Sequence, residues 1–501
     1  MVFLSKKITK RIVFLLCITA FNQAVIAQKS VLDSILILRD NRSLDVYSFT
    51  NNVVYVEELR PEIGFATANY KNTFGEFRQP MHATSSNQYN LATGGFKKIN
   101  NWGYNGYFSY QKSFENDVSW NGVYNAYDDN PFIWADSSKG DWQKDEIKAI
   151  IGIIPPKITN KLSAGLQIEY MISSGARLSE PKPFYRFRNI GLQPALSYQL
   201  PNNQALGITG TIGFVVEENE LGFYNNINNN VLLYRIRGYG TFSKSPFVSG
   251  ERKRVQNDVM GTIHYRKTGK DYQFLIAANT SQRNDDVTEG VALPQSTGFF
   301  TGVGFGGLLS FYKGNSNKGK SIKARGNIKN GYADDVIFGA QSASSSFQDI
   351  DIKASTWSFN ENNKTLWQFT ISPSYHFIDN TDQATRTQLT ASKVQITGEI
   401  NYRKQLNSHL NLNATVETGY HYVLDDSFTN KTNNTIIRNL IVPNYLFYAS
   451  NFMIANAKFG VDFTPKNSVM THTIFITNQS QGFTKSGISR TNIQFNYSII
   501  F

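Results

Sequence analysis

The feature that most constrains the fold is a two-residue alternation of apolar and polar side chains within long segments. In residues 394–402 the even positions are Val394, Ile396, Gly398, Ile400 and Tyr402, and the odd positions are polar. Successive side chains of a β-strand point to opposite faces, so this period gives one apolar and one polar face. Several such segments reach the roughly nine to eleven residues that a tilted membrane strand needs.

The alternation recurs along most of the chain, including residues 190–200, 206–214, 367–377 and 410–422. A sheet in hydrocarbon must close on itself, because an open edge would leave backbone groups unpaired. The pattern therefore predicts an all-β fold, a transmembrane antiparallel barrel of about 16–18 strands with an accepted range of 14–18.

The connections between these segments alternate in length. Short links are predicted at 155–160, 201–204, 267–270, 313–318, 360–363, 403–408 and 464–468. Long polar connections are predicted at 128–144, 172–188, 215–256, 280–300, 330–347, 378–390, 423–444 and 479–490. Short periplasmic turns and long extracellular loops are typical of outer-membrane barrels, so both termini are expected in the periplasm. Residues 229–241 fit either another strand or, preferably, part of a folded outer loop.

The last segment places apolar residues at every second position, namely Ile493, Phe495, Tyr497, Ile499 and Phe501. It is similar to the terminal strand that the barrel assembly machinery of the outer membrane recognises. The alternative is an ordinary amphipathic final strand.

The first residues have the three parts of a secretory signal: basic residues, an apolar run from Ile12 to Phe21, and Val25-Ile26-Ala27 ahead of the expected cleavage site. A signal peptide of residues 1–27 predicts export to the outer membrane, and the single cysteine, Cys17, leaves with it.

The remaining chain has 46 basic and 38 acidic residues, a net charge of about +8. No basic block of the nucleic-acid-binding kind is present, so outer-membrane lipids, and not nucleic acid, are expected as partners.

Residues 28–60 lack the long alternation. Residues 31–39 fit a short helix, and Val53, Val54 and Val56 hint at a strand. A periplasmic or lumen-inserted segment is expected here, followed by the barrel in residues 61–501.

The polar face of the predicted strands carries charged and histidine side chains that are expected to line the lumen. They are Glu169, His264, Lys323, Arg325, Lys353, His376, Glu399, Glu417, His421 and Lys458. Mixed charge in a water-filled pore sets its solute preference. In a narrow barrel the same residues would instead pair with one another.

Nucleophilic catalysis has one candidate pair. Ser374 and His376 share one strand face, as in an outer-membrane phospholipase, but that enzyme's pair faces lipid and also needs a third orienting group. If the hairpin is centred on Leu406, Glu417 lies across from Gln395 and forms no acid–base dyad with Glu399. The six histidines lack metal-ligand spacing. A non-enzymatic protein without cofactor or metal is therefore expected.

An acidic and aromatic segment at 128–145 contains Asp128, Asp129, Asp136 and Trp134. Its carboxylates are candidates for calcium binding, its rings for stacking on a sugar or partner, and a solvated acidic loop is the alternative. The following outer segment carries three further binding candidates, Arg177, Arg186 and Arg188. The two segments are expected to bind each other.

These features resemble a family of uncharacterised Gram-negative outer-membrane barrels often encoded beside TonB-dependent transporters. The residues that carry the resemblance are Gly75-Glu76-Phe77-Arg78, Trp120 with Asp128-Asp129-Asn130-Pro131, and Ala176 to Asn189 leading into Gly191 and Tyr198. The resemblance implies location and fold, and it transfers no catalytic residue.

The expected function is therefore a pore, or an accessory subunit of an uptake or export complex with a TonB-dependent transporter or a surface lipoprotein as partner. An outer-membrane hydrolase of the lipase or esterase type is the alternative. A transporter of hydrophobic solutes is a further one, but it would need an apolar lumen.

Overall fold

The computed structural model describes residues 49–55, 62–221, 232–246, 250–290, 293–315, 317–466, 468, 470–483 and 488–501. The predicted signal peptide and the predicted helix at 31–39 lie outside these residues. None of the helices in the described part of the chain is long and apolar enough to cross a membrane.

The described residues form one large antiparallel sheet of eighteen strands. Its strands are β1 (Glu62–Gly75), β2 (Ser85–Ile99), β3 (Trp102–Val118), β5 (Gly140–Ile154), β6 (Leu162–Arg177), β7 (Phe184–Leu200), β8 (Gln204–Leu221), β11 (Gly250–Thr268), β12 (Tyr272–Glu289), β13 (Gln295–Gly314), β14 (Lys318–Asp335), β15 (Ala340–Asn360), β16 (Thr365–Asp382), β17 (Thr387–Asn407), β18 (Leu410–Thr429), β19 (Phe452–Phe463), β20 (Thr471–Phe483) and β21 (Ser489–Ile500). Each strand pairs with the next, and β1 pairs with β21. The predicted all-β closed antiparallel barrel is confirmed.

The first and last strands close the sheet. Their register runs from Phe65 opposite Ile500 to Gly75 opposite Arg490. Beyond β21, the backbone of Phe501 exchanges hydrogen bonds of 2.7 and 2.8 Å with Gly64. This seam leaves the wall without a free sheet edge.

The wall has the reverse polarity of a water-soluble domain. On β7 and β8 the outward side chains Ile190, Leu192, Ile208 and Ile212 are all exposed. Inward polar side chains such as Ser197, Thr209 and Gln193 are instead buried. An exposed apolar surface that encircles the wall indicates an apolar solvent on the outside.

The two ends of the barrel differ. At one end, here called the turn end, short links such as 100–101, 201–203 and 361–364 join the strands, and β1 begins and β21 ends there. At the opposite end, here called the cap end, the strands continue into most of the predicted long loops, so the predicted bounds of these loops are too wide. Besides three longer connections, strands are joined there by residues 76–84, 178–183, 290–294, 336–339, 383–386 and 484–488.

Three connections at the cap end carry structure of their own, and together they are called the cap: residues 119–139, 232–246 and 430–451. They contain β4 (Phe132–Ala135), β9 (Leu232–Arg237) and β10 (Phe242–Pro246), which form a separate three-stranded sheet. They also contain a π-helical turn (Ile437–Ile441) and the short helix α1 (Val442–Tyr448). Within the 229–241 run, residues 232–237 therefore form β9, which lies in the separate sheet and is not a strand of the wall.

The cap has its own apolar core. Trp120, Ile133, Tyr234, Ile236 and Ile436 are buried against one another in it. Its rim packs on the inner wall face, where Phe132 joins Val287, Phe300, Ala333 and Ala343 in a second buried cluster. The cap therefore sits within the mouth of the barrel.

Residues 49–55 lie against the inner wall nearer the turn end. The segment Val53–Tyr55 is a 3-10 turn, so the predicted strand at this point is wrong. The Tyr55 hydroxyl is 2.7 Å from His264 Nε2, and the Phe49 ring lies 5.7 Å from the Arg325 guanidinium. A short segment thus crosses the lumen below the cap.

We predict that Gly75→Ala weakens the closure of the barrel. Gly75 has a φ of +121°, and an added Cβ would lie 2.2 Å from the carbonyl oxygen of Ser489 on the partner strand. The expected loss of unfolding free energy is about 1–3 kcal/mol, measured by guanidinium unfolding in detergent. Gly106→Ala is the control, because its Cβ would meet open space. Equal stability of the two variants would contradict this account of the seam.

Candidate functional site

A cluster of buried charges joins the cap to the wall. The carboxylate of Asp128, in the cap, binds Arg254 on β11 and Arg283 on β12. Glu217 and Asp285 hold these two arginines from the wall side, at 3.0 and 2.6 Å. Burial would raise the pKa of Asp128, but the two guanidinium groups outweigh it and hold that pKa below its usual range. The carboxylate therefore acts as an ionised anchor for the cap.

A second set of polar contacts anchors β4 and β9. The indole Nε1 of Trp134 donates to Glu289 on β12 at 2.8 Å, and the Trp134 ring is 1% exposed. Arg237 lies 3.4 Å from both Glu289 and Asp335 of the wall. The predicted binding candidate Trp134 is thus buried inside the cap, where it contributes to anchoring.

The predicted contact between the two loop segments is made by Asp136 and Arg177. Their side chains form a 2.9 Å ion pair that is almost fully buried. Arg177 also donates to the backbone carbonyls of Ser138 and Pro181, at 2.9 and 3.0 Å. Burial raises the pKa of Asp136, and Arg177 opposes that rise. The Arg177 guanidinium thus joins the cap, through Asp136 and Ser138, to the link that contains Pro181.

The remaining loop candidates are more accessible. The structure places Arg186 and Arg188 on strand β7, not in the predicted loop 172–188, because the strand ladder extends past the apolar belt. Both face solvent beside Glu218, with Arg188 at 3.5 Å. Asp129 is solvent-exposed within the cap. That Arg186, Arg188 and Asp129 bind a partner stays a prediction.

The polar residues predicted for the lumen lie on the wall face opposite the exposed apolar side chains. They are Glu169, His264, Lys323, Arg325, Lys353, His376, Glu399, Glu417, His421 and Lys458. Lys148 pairs with Glu169 at 2.6 Å, and the Lys458 ammonium lies 4.1 Å from the centre of the Phe475 ring. Within the described ranges, no group of three or more His, Cys, Asp or Glu side chains is arranged to hold a metal ion.

The predicted separation of two lumen carboxylates is wrong. Glu399 on β17 lies directly opposite Glu417 on β18, because the turn is centred near residues 408–409 and a bulge at 405–407 shifts the register. Glu417 accepts a hydrogen bond from Asn456 at 3.3 Å. The two carboxylates therefore belong to one patch of the inner wall.

A three-residue hydrogen-bonded array lies on the inner wall at β15 and β16. Ser374 Oγ is 3.1 Å from His376 Nε2, and His376 Nδ1 is hydrogen-bonded to Asp349. Asp349 lies directly opposite His376 across the strand pair. Alternation alone identified the first two residues, whereas Asp349 required the strand register. This residue supplies the third orienting group that sequence reasoning missed.

A polar cavity of about 230 Å³ lies on the inner wall beside the cap. It is lined by Gln88, Gln111, Ser113, Glu115, Tyr124, Asn125, Lys144, Glu146, Ser173 and Tyr185. Tyr124 donates to Glu146 at 2.9 Å, and Lys144 pairs with Glu115 at 2.8 Å. Such a lining suits a hydrophilic solute better than an apolar one.

We predict that Arg177→Met loosens the cap. The change leaves the Asp136 carboxylate buried without its partner, which typically costs about 3–5 kcal/mol. Limited proteolysis with mass spectrometry should show faster cleavage within residues 119–139. Arg186→Met is the control, because its guanidinium is 54% exposed and surface ion pairs contribute about 0–1 kcal/mol. Equal cleavage of both variants would show that the buried pair does not hold the cap.

Comparison with curated proteins found no significant match. Among solved structures, the ferric preacinetobactin receptor BauA of Acinetobacter baumannii is 7% identical, covers 88% of this chain and 80% of its own, and has a TM-score of 0.38. The outer membrane transporter YddB of Escherichia coli has the same identity and TM-score, with 88% and 81% covered. OccAB3 of Acinetobacter baumannii is 11% identical, with 88% and 99% covered and a TM-score of 0.32.

TM-scores this low carry no argument about function. A family model, by contrast, matches residues 54–501, which is nearly the whole described chain. The chain belongs to the family of unknown function DUF6850.

Proposed function

We propose that this chain is an outer-membrane barrel that passes small hydrophilic solutes through a lumen gated by its cap. The location is supported by the apolar outer belt, which a closed barrel presents to lipid, and by the signal-like first residues. In this orientation the turn end and both termini face the periplasm, and the cap faces outward.

The observation that carries the gating proposal is the separation of the two sheets. Strands β4, β9 and β10 pair with one another, whereas the eighteen wall strands close without them. Moving the cap therefore breaks side-chain anchors such as Asp128 with Arg254, but it breaks none of the wall ladder bonds. A barrel of this size stays open unless loops or inserts fill it, so displacing the cap would open a path.

The inner wall favours charged or hydrophilic solutes. Lys323 and Lys353 lie directly opposite each other on β14 and β15, and Arg325 follows on the same face. Paired cations in a pore raise the local concentration of anions. The polar lining does not favour transport of a hydrophobic solute.

An accessory role in a larger complex is the second candidate. The cap in the mouth and the segment 49–55 across the lumen both obstruct the barrel, so opening requires a ligand or a partner that moves them. A TonB-dependent transporter or a surface lipoprotein is the proposed partner, and co-purification from membranes after crosslinking is its test. A monodisperse monomer without either partner would argue against this role.

We predict that a disulfide between cap and wall closes the pore. A Cβ at Gly240, between β9 and β10, would lie 3.1 Å from Thr387 Oγ1 at the start of β17, a spacing that suits a disulfide. The same Cβ would lie 2.6 Å from Thr385 Oγ1, so the Thr385 hydroxyl has to rotate away. In planar bilayers, oxidised Gly240→Cys/Thr387→Cys should conduct several-fold less than the same protein after reduction.

The control is Gly240→Ser/Thr387→Ser, whose conductance should not respond to oxidant or reductant. The natural chain has one cysteine, in the predicted signal peptide, so no other thiol competes. Two results would contradict the gated pore. One is equal conductance with the disulfide formed and reduced, and the other is no conductance by wild type and by the cap-loosened variant Asp128→Asn.

We further predict that Lys323→Glu and Lys353→Glu shift ion selectivity toward cations. Each replaces an inward positive charge with a negative one at the same point of the lumen. The reversal potential in a KCl gradient measures the shift. Lys320→Glu is the matched control, because it makes the same charge change on β14 but on the outward face. A reversal potential that Lys320→Glu alters as strongly would exclude a local effect in the lumen.

A further inference from the structure

The hydrogen bonds of the inner-wall array make its serine a candidate nucleophile. The array consists of Ser374, His376 and Asp349. A carboxylate only accepts hydrogen bonds, so the Asp349 contact requires the proton of His376 to reside on Nδ1. In the neutral imidazole His376 Nε2 is then an acceptor, and it lies 3.1 Å from Ser374 Oγ. The serine hydroxyl therefore donates to a base that a carboxylate orients, which is the relation that acyl transfer needs.

Donors for a developing oxyanion lie on the adjacent strand β17. Gln395 is directly opposite Ser374, and Lys393 is directly opposite His376. Side chains paired in this way have Cβ atoms about 4.5–5.5 Å apart. The Oε1 of Gln395 is 3.4 Å from His421 Nδ1. Two residues whose side chains carry N–H groups thus lie opposite Ser374 and His376 on the neighbouring strand.

The array is partly open to the lumen. The side chains of His376 and Asp349 are 26% and 23% exposed, and Ser374 is half-buried. The cap reaches the same place, because the Lys393 ammonium lies 4.8 Å from the centre of the Tyr448 ring in α1. A water-soluble molecule in the lumen can therefore contact the array, whereas a membrane lipid outside the wall cannot.

We propose that Ser374, His376 and Asp349 form an esterase site inside the lumen, acting on small water-soluble esters with short acyl groups. The outward residues Tyr375 and Phe377 separate the site from lipid, and the polar inner wall offers little surface for a long acyl chain. The proposal rests on the proposed function in one respect, namely that a solute reaches the lumen.

The reaction balances with these residues and water. Ser374 Oγ bonds to the ester carbonyl carbon while its proton moves to His376 Nε2, and the carbonyl oxygen takes up negative charge beside Gln395 and Lys393. The bond to the alkoxy oxygen then breaks, and His376 protonates the leaving alcohol. Water repeats the attack on the acyl-serine, gives its proton to His376, and releases the acid as the proton returns to Ser374. Asp349 is a positioning residue that stabilises the histidine.

The first test is covalent labelling of the full chain in detergent by a small fluorophosphonate probe, with the modified residue mapped by mass spectrometry. We expect an adduct on Ser374 that His376→Ala reduces at least tenfold. Ser372→Ala, two residues earlier on the same strand face, is the matched control and should leave the labelling unchanged. Absence of an adduct on Ser374 in both wild type and Asp128→Asn, which loosens the cap, would overturn the proposal.

The second test is hydrolysis of p-nitrophenyl acetate. Ser374→Ala should lower kcat/KM by about 10³ or more, and Gln395→Leu should lower kcat on the order of 10²-fold. Asp349→Asn should lower kcat by about 10²–10⁴ with KM unchanged, and Asp349→Glu should restore part of it. Heat-dependent gel mobility verifies that each variant is folded. A wild-type rate in folded Ser374→Ala would overturn the proposal.

Failure of this proposal and failure of the pore are distinguishable, because their readouts are independent. Conductance without an adduct on Ser374 removes the esterase and keeps the pore. An adduct on Ser374 with no conductance keeps the esterase, and it limits access to small probes that diffuse past the cap.

Discussion

Closure of the sheet between β1 and β21 is the constraint on which the rest of the structure depends. In an apolar solvent an unpaired backbone group is costly, so the wall is stable there only when its first and last strands complete the ladder. Gly64 and Phe501 extend that ladder past the last strand, and Gly75 permits the close approach at its other end. Because the wall strands supply all of the wall's backbone pairing, the connections inside the barrel are not needed for its closure. They can fold separately and fill the lumen.

Closure with eighteen strands also creates a wide interior that has to be filled or left open to water. A barrel of this width cannot be filled by its own inward side chains. The cap and residues 49–55 occupy that space, and they bring charged groups with them. Burying a charge is tolerable only with a partner, which explains why Asp128 contacts two arginines and Asp136 contacts one. These anchors join the cap to the wall through side chains, whereas the cap strands pair with one another and not with the wall ladder.

Much of the wall was predictable, because lipid on one face and polar groups on the other impose a period of two on the sequence. The predicted strand and loop bounds were wrong where the two faces of a strand no longer meet different surroundings. Beyond the apolar belt both faces of a strand meet water or the cap, so the alternation fades while the backbone ladder continues. Residues 172–188 and 378–390 consequently read as loops, although most of them are strand.

The sequence by itself determined the fold class, the apolar and polar faces, and the inward position of Ser374 and His376. These features depend on local spacing along one strand. Only the tertiary structure decided which residues meet across strands, because register is set by turns and bulges that the side-chain pattern does not encode. That is why Glu399 faces Glu417, why Asp349 orients His376, and why three distant connections form one cap.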